Sequence, residues 1–149
     1  MKKDIKLYNV LFPVWMLLMF PVTWLIVLPG NFVIDSLVLF LGMYFLKISD
    51  KKDLYKKSIV KIFAIGIFSD IIGSAYMLLM VILELCTMAD EWYVTVPGVV
   101  ISAVLIFALN YFITFKNLDK KKRVILSLLF AIITAPYTFL VPSRWLYNY

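Results

Sequence analysis

Long runs of apolar residues with almost no charge dominate this chain and decide what it can fold into. Each run approaches or exceeds the ~20 helical residues that cross a hydrocarbon core of ~30 Å. Backbone exposed to lipid must satisfy its hydrogen bonds internally, so such runs are predicted to be α-helices. The sequence therefore predicts one all-α domain over residues 1–149, a polytopic integral membrane bundle of five transmembrane helices, at about 7–28, 32–48, 61–86, 94–115 and 124–141.

The composition agrees with a membrane protein and excludes several chemistries. Hydrophobic residues make up 64% of the chain and charged residues only 16%, whereas a soluble domain carries about 25% charged residues. The chain has no His and a single Cys, Cys86. One copy therefore cannot form a disulfide or a His- or Cys-rich metal site, and we expect no cofactor.

Basic residues are confined to one side of the predicted bundle. Of the 15 Lys and Arg, all except Arg144 lie in "MKKDIK", "KISDKKDLYKKSIVK" and "KNLDKKKR". The other connections are "LPGN" and "TMADEWY", followed by the tail "PSRWLYNY". Because short Lys- and Arg-rich loops stay cytoplasmic, we predict the N-terminus inside and the C-terminus outside. The net charge of +6 then reflects orientation and contact with membrane lipids rather than nucleic acid, and the expected location is a bacterial cytoplasmic membrane.

Asp70 lies deep within the third apolar run. It follows Lys61 by nine residues, which is about 13 Å along a helix and hence near the bilayer midplane. A charge there costs ~2.5 kcal/mol or more, so the side chain should face protein or water. At 100° per residue the same helix face carries small or polar residues and one methionine: Gly66, Gly73, Ser74, Met77 and Glu84.

Two interpretations of this stripe stay open. In the first, Asp70 binds a proton or another cation, with Ser69, Ser74 and Glu84 beside it. In the second, the stripe is a helix-packing interface, because small residues such as Gly66 and Gly73 let helix backbones approach closely in lipid. Asn110, in segment four, would then contribute a hydrogen bond between helices.

Three further polar residues are expected on the outer side. Asp35 lies a few residues into segment two, Glu84 near the end of segment three, and Arg144 just after segment five. Arg144 could pair with either carboxylate or instead extend to lipid phosphates. In segment five, Pro136 removes the hydrogen bond to the carbonyl of Ile132, which predicts either a kink or an interrupted helix.

The sequence contains no recognisable catalytic motif and points to no catalytic residue. Three functions fit the pattern. The first is an oligomeric transporter or channel for an ion or small solute, with Asp70 as its midplane carboxylate. The second is a noncatalytic membrane subunit, an immunity factor or an assembly factor that uses the polar stripe as an interface. The third is a lipid-modifying enzyme built on the outer polar residues. The one-sided lysine distribution favours a parallel homo-oligomer or a membrane partner subunit.

Overall fold

The computed structural model of the protein describes residues 21–85 and 91–141. All regular secondary structure in these two ranges is helical. The four α-helices are α1 (Pro21–Phe45), α2 (Lys51–Ile82), α3 (Trp92–Leu109) and α4 (Lys120–Ile133). A π-helical turn, Asn110–Thr114, extends α3, and a 3-10 turn, Tyr137–Leu140, follows α4.

Four helical stretches in the described residues are long and apolar enough to cross a membrane: Val22–Phe45, Lys51–Ile82, Trp92–Thr114 and Lys120–Leu140. Their large apolar side chains are widely exposed; on α1, for example, Leu25 and Ile26 are 78% and 80% exposed. A soluble bundle buries its apolar faces, so these surfaces require lipid. The prediction of an all-helical membrane protein is confirmed, whereas the fifth crossing and the orientation of the termini stay predictions.

The predicted turn at "LPGN" is absent, because α1 continues through Pro29 and Gly30. A proline inside a helix removes one backbone hydrogen bond, a loss that membrane helices tolerate more readily than soluble ones. The continuous helix moves Asp35 from the start of a segment to the middle of α1. The first predicted segment lies mostly outside the described residues.

Helix α2 differs from the prediction at both ends. It begins at Lys51, inside the predicted connection. The helix can form there because no Gly or Pro interrupts the chain, and because Lys57 pairs with Asp53 one turn earlier at 2.7 Å. It ends at Ile82, and Glu84 has a φ of 53°. That left-handed conformation is incompatible with a helix interior. Glu84 therefore lies beyond the helical stripe on which the sequence placed it.

Helix α4 is shorter than predicted, ending at Ile133 instead of continuing to Val141. Pro136 cannot donate to the carbonyl of Ile132 and disfavours helical backbone at Ala135. Side chains satisfy the carbonyls at this end: the Tyr137 hydroxyl donates to the Ile132 carbonyl, and the Thr134 hydroxyl donates to the Phe130 carbonyl at 2.9 Å.

The core consists of two layers. The layer nearer the lysine-rich connections joins all four helices through side chains such as Leu39, Ile62, Ile106 and Phe130. The second layer lies toward the opposite end and contains Met77, Val94, Val99, Ala135 and Phe139. The acidic residues described below lie at the level between these layers.

Helices α2 and α3 approach each other closely where they cross. A Cβ atom added at Gly73 would lie 2.2 Å from Ser102 Oγ and 2.9 Å from the Gly98 carbonyl oxygen. The Ser102 hydroxyl donates to the Ser69 carbonyl at 2.9 Å. Small residues on both helices thus permit backbone contact, as is common in membrane bundles.

We predict that Gly73→Ala lowers the free energy of unfolding by about 1–3 kcal/mol, because its methyl group would overlap the α3 backbone. Gly30→Ala is the matched control, since a Cβ there meets nothing within 4 Å. It should leave stability unchanged or raise it by up to ~1 kcal/mol. Reversible unfolding of the purified protein in mixed micelles measures both values, and equal effects would contradict the close contact.

The connections 46–50 and 115–119 lie together, since residues of both line one cavity. We call this the lysine-rich end and predict that it faces the cytoplasm. In a Cys86→Ser background, Asn117→Cys should react with an impermeant thiol reagent only in inside-out vesicles. Glu84→Cys, at the opposite end, should react only in right-side-out vesicles. The reverse pattern would overturn the orientation.

Candidate functional site

Two acidic side chains on neighbouring helices line one membrane-embedded cavity. Asp35 lies on α1 and Asp70 on α2, and they are only 4% and 9% exposed. Gly66 lies beside them: a Cβ atom there would be 3.8 Å from Asp35 Oδ2. The cavity has a volume of about 550 Å³, and both Asp35 and Asp70 line it. We call Asp35 and Asp70 the acidic pair and this cavity the groove.

Helix lengths indicate how deep the acidic pair would lie in a membrane. Asp35 is ten residues before the end of α1, and Asp70 is twelve residues before the end of α2. These separations correspond to about 15 Å and 18 Å along the helix axes, or roughly half of a ~30 Å hydrocarbon core. The sequence-based prediction that Asp70 lies near the bilayer midplane stays a prediction. Asp35 lies near the same level and not at the outer rim where the sequence placed it.

Non-helical backbone forms the wall opposite the acidic pair. The groove is lined there by the end of α4 and the segment after it, including Thr134, Pro136 and Thr138. Ile133 follows the first residue of α4 by 13 positions, which is about 20 Å of helix. The α-helix therefore ends partway along the apolar stretch Lys120–Leu140. Interrupted helices at this depth are tolerated where they line a cavity.

The described residues satisfy the carboxyl group of Asp70 only in part. Its Oδ1 atom is buried and accepts no hydrogen bond from the described residues. Ser74 donates to the backbone carbonyl of Asp70 at 2.8 Å and not to the carboxyl group. None of the described residues that line the groove is a Lys or Arg. A buried carboxylate normally requires a proton, a cation or hydrogen-bond donors.

Other residues from the predicted site lie elsewhere. Ser69 and Ser74 are fully buried but do not line the groove, and Glu84 is exposed. Gly66 marks the level of Asp35 on α2, since a Cβ there would be 3.8 Å from Asp35 Oδ2. Glu84 follows Gly66 by 18 residues, a separation of about 27 Å if the helical rise is applied throughout. The structure therefore does not bring Asp35 and Glu84 together. Arg144 lies outside the described residues.

The three predicted packing residues have different environments. Gly73 contacts α3, whereas Gly66 lines the groove. Asn110 begins the π-helical turn and is 1% exposed, and neither polar atom of its side chain has a hydrogen-bond partner in the described part of the chain. The predicted hydrogen bond from Asn110 to another helix is therefore not formed by the described residues.

Sequence reasoning missed several groove residues. Asn31 and Thr23 line the groove from α1, and Tyr137 lines it from the 3-10 turn. The sequence of α1 does carry a signal, since Thr23, Asn31 and Asp35 are separated by multiples of four residues, which places them near one helix face. The interruption of the apolar run by "LPGN" obscured this pattern.

No protein-family model, curated protein or solved structure matches the chain. The fold and composition define its class, an integral membrane protein with at least four apolar helices. Within residues 21–85 and 91–141, no group of three or more His, Cys, Asp or Glu side chains could hold a metal ion.

We predict that water reaches the groove. In a Cys86→Ser background, Asn31→Cys and Thr134→Cys should react with a water-soluble thiol reagent, because carboxyl and hydroxyl groups at the same cavity retain water. Val33→Cys is the control: Val33 is 55% exposed on α1 but does not line the groove. A thiol facing lipid should react at least about ten-fold more slowly, since it does not ionise there. Equal rates would contradict a hydrated groove.

Proposed function

We propose that this protein is a small membrane transporter for a proton or another small cation, with the acidic pair as its binding site. The observation that carries the proposal is the acidic pair itself. Two carboxyl groups from adjacent helices lie buried beside a groove of about 550 Å³ at mid-membrane depth. Ionisable residues at that depth are costly and typically mark ion or substrate pathways.

The charge of the groove favours a cationic ligand. Asp35 and Asp70 have no basic neighbour among the described groove residues, and one oxygen of Asp70 lacks a donor. A bound proton or cation offsets both the repulsion between the carboxyl groups and their desolvation. The hydroxyls of Thr134 and Thr138 supply further oxygen atoms on the facing wall.

The extent of the groove favours a carrier over an open channel. Its lining on α1 includes residues between Thr23 and Asp35 and no residue nearer the lysine-rich end. Beyond Asp35 the chain buries Val38 and Leu39, which pack with Ile62 in the core. The path therefore stops at the acidic pair, and transport requires this core layer to open in a second conformation.

Two other functions receive less support. The interface hypothesis requires an accessible small-residue stripe, but Gly73 is buried against α3 of the same chain. The lipid-enzyme hypothesis requires outer carboxylates to converge, yet Glu84 is exposed and Asp35 lies at the midplane. A parallel homo-oligomer in a bacterial cytoplasmic membrane is part of the proposal, and the mass of the purified protein in detergent tests the oligomer.

The test is flux in proteoliposomes that contain the purified protein, measured with a pH-sensitive dye, with sodium and potassium gradients and with a small quaternary ammonium ion. We expect Asp70→Asn and Asp35→Asn each to lower flux at least about ten-fold, because an amide cannot bind a proton or replace a carboxylate charge.

Glu84→Gln is the control for the loss of one carboxylate, since Glu84 is exposed and distant from the groove. It should retain the flux of the unaltered protein. Absence of flux for every cation, or equal flux in the Asp70→Asn variant, would overturn the proposal, provided that each variant elutes as one species from a sizing column.

A further inference from the structure

A second cavity, of about 630 Å³, opens at the lysine-rich end. We call it the vestibule. Its walls are the first turns of α2, the connection that precedes them, and the turn between α3 and α4. It lies at the opposite end of the bundle from the groove opening, and the two cavities share no lining residue.

The vestibule is lined by four lysines, Lys57, Lys61, Lys116 and Lys122. It also contains Asp50, Asp53 and Asp119. Asp53 pairs with Lys57 at 2.7 Å, so three lysines and two aspartates remain outside that pair, with a net charge of +1.

The start of α4 adds donors to the vestibule. The Asp119 side chain makes no capping hydrogen bond. The first backbone hydrogen bond of α4 runs from the Arg123 amide to the Asp119 carbonyl, at 2.9 Å. The preceding amides of α4 therefore lack helical partners, and the helix dipole favours an anion beside them.

A buried hydroxyl at the base of the vestibule gives an independent indication of a ligand. Thr114, the last residue of the π-helical turn, is 9% exposed and lines this cavity. Its Oγ1 atom is buried and has no hydrogen-bond partner among the described residues. A hydroxyl in a helix commonly donates to a carbonyl in the preceding turn, as Thr134 does. The free hydroxyl of Thr114 is thus available to donate to a phosphate oxygen.

We infer that the vestibule binds the phosphate head group of an anionic membrane lipid. Lysine ammonium groups, the start of α4 and the Thr114 hydroxyl together provide donors suited to a phosphate. A lipid is favoured over a soluble phosphate because the cavity adjoins apolar surface: Phe112 and Ile113 are 66% and 47% exposed. An acyl chain can lie along these side chains while its head group occupies the vestibule.

The experiment is native mass spectrometry of the full chain in detergent, titrated with phosphatidylglycerol and, separately, with phosphatidylcholine. We expect one tightly bound phosphatidylglycerol per chain and at least about ten-fold weaker binding of phosphatidylcholine. Lys61→Gln combined with Lys122→Gln should weaken phosphatidylglycerol binding at least about ten-fold, because two charge-assisted hydrogen bonds are lost. Thr114→Val, which removes one hydroxyl, should weaken it about three-fold or more.

The matched control is Lys52→Gln combined with Lys121→Gln. Both lysines are exposed at the same end of the bundle, yet neither lines the vestibule. This variant should bind within about two-fold of the unaltered protein, because exposed charges outside the cavity are largely screened by salt and water. Equal losses of phosphatidylglycerol affinity in the two double variants, or no preference for phosphatidylglycerol over phosphatidylcholine, would overturn the inference. Either result would indicate diffuse attraction between the lysines and anionic lipids. Displacement of the lipid by millimolar inorganic phosphate would instead identify a soluble anion as the ligand.

Discussion

The contact between α2 and α3 at Gly73 and Gly98 determines the arrangement of the remaining structure. The two backbones approach so closely that a single methyl group would overlap α3. In lipid there is little hydrophobic force between helices, so such contacts depend on dispersion and on hydrogen bonds like that from Ser102 to Ser69. The contact fixes the rotation of α2 about its axis. Asp70, three residues before Gly73, is consequently directed between α1 and the end of α4.

The polar groups within the bundle divide into two kinds. Some are satisfied locally, as at the end of α4, where the Tyr137 hydroxyl donates to the Ile132 carbonyl that Pro136 leaves free. The Thr134 hydroxyl donates to the Phe130 carbonyl, which also accepts the Thr134 backbone amide. Others are buried with no hydrogen-bond partner among the described residues, including Asp70 Oδ1 and the Thr114 hydroxyl. An unsatisfied buried polar group costs about 1–3 kcal/mol. Asp70 and Thr114 each line a cavity, and this coincidence of an unpartnered polar atom with a cavity is the physical reason for assigning ligands to both. Ser69, Asn110 and Ser127 also carry unpartnered polar atoms, but they line neither cavity.

Some of this architecture could be predicted from the sequence because it follows from length and hydrophobicity alone. The apolar runs predicted helices, and the distance from Lys61 to Asp70 predicted a midplane carboxylate. The position of Asp35 could not be predicted from local signals, since "LPGN" has the composition of a turn and is nevertheless helical. Whether a proline kinks a membrane helix or ends it depends on neighbouring helices. Pro29 lies within a helix, whereas Pro136 follows the end of one.

A single sequence also could not show which carboxyl groups lie close together in the fold. The pairing of Asp35 with Asp70 depends on α1 lying against α2 beside Gly66, and no periodicity specifies which helices are neighbours. The vestibule was missed for a related reason. Its lysines were read as orientation signals, but Thr114 and the α4 start are brought to them only by the turn between α3 and α4.

The unequal lengths of the helices have a consequence for the surrounding bilayer. Helix α2 is 32 residues long and α4 only 14, corresponding to about 48 Å and 21 Å. On the α4 side, the membrane-crossing stretch continues to Leu140, but beyond Ile133 it consists of irregular backbone and a 3-10 turn. Where the apolar length of a helix and the bilayer thickness differ, the bilayer adapts at a cost of fractions of a kcal/mol per Å. The α4 flank is therefore the side of the bundle where we expect acyl-chain length to affect stability most.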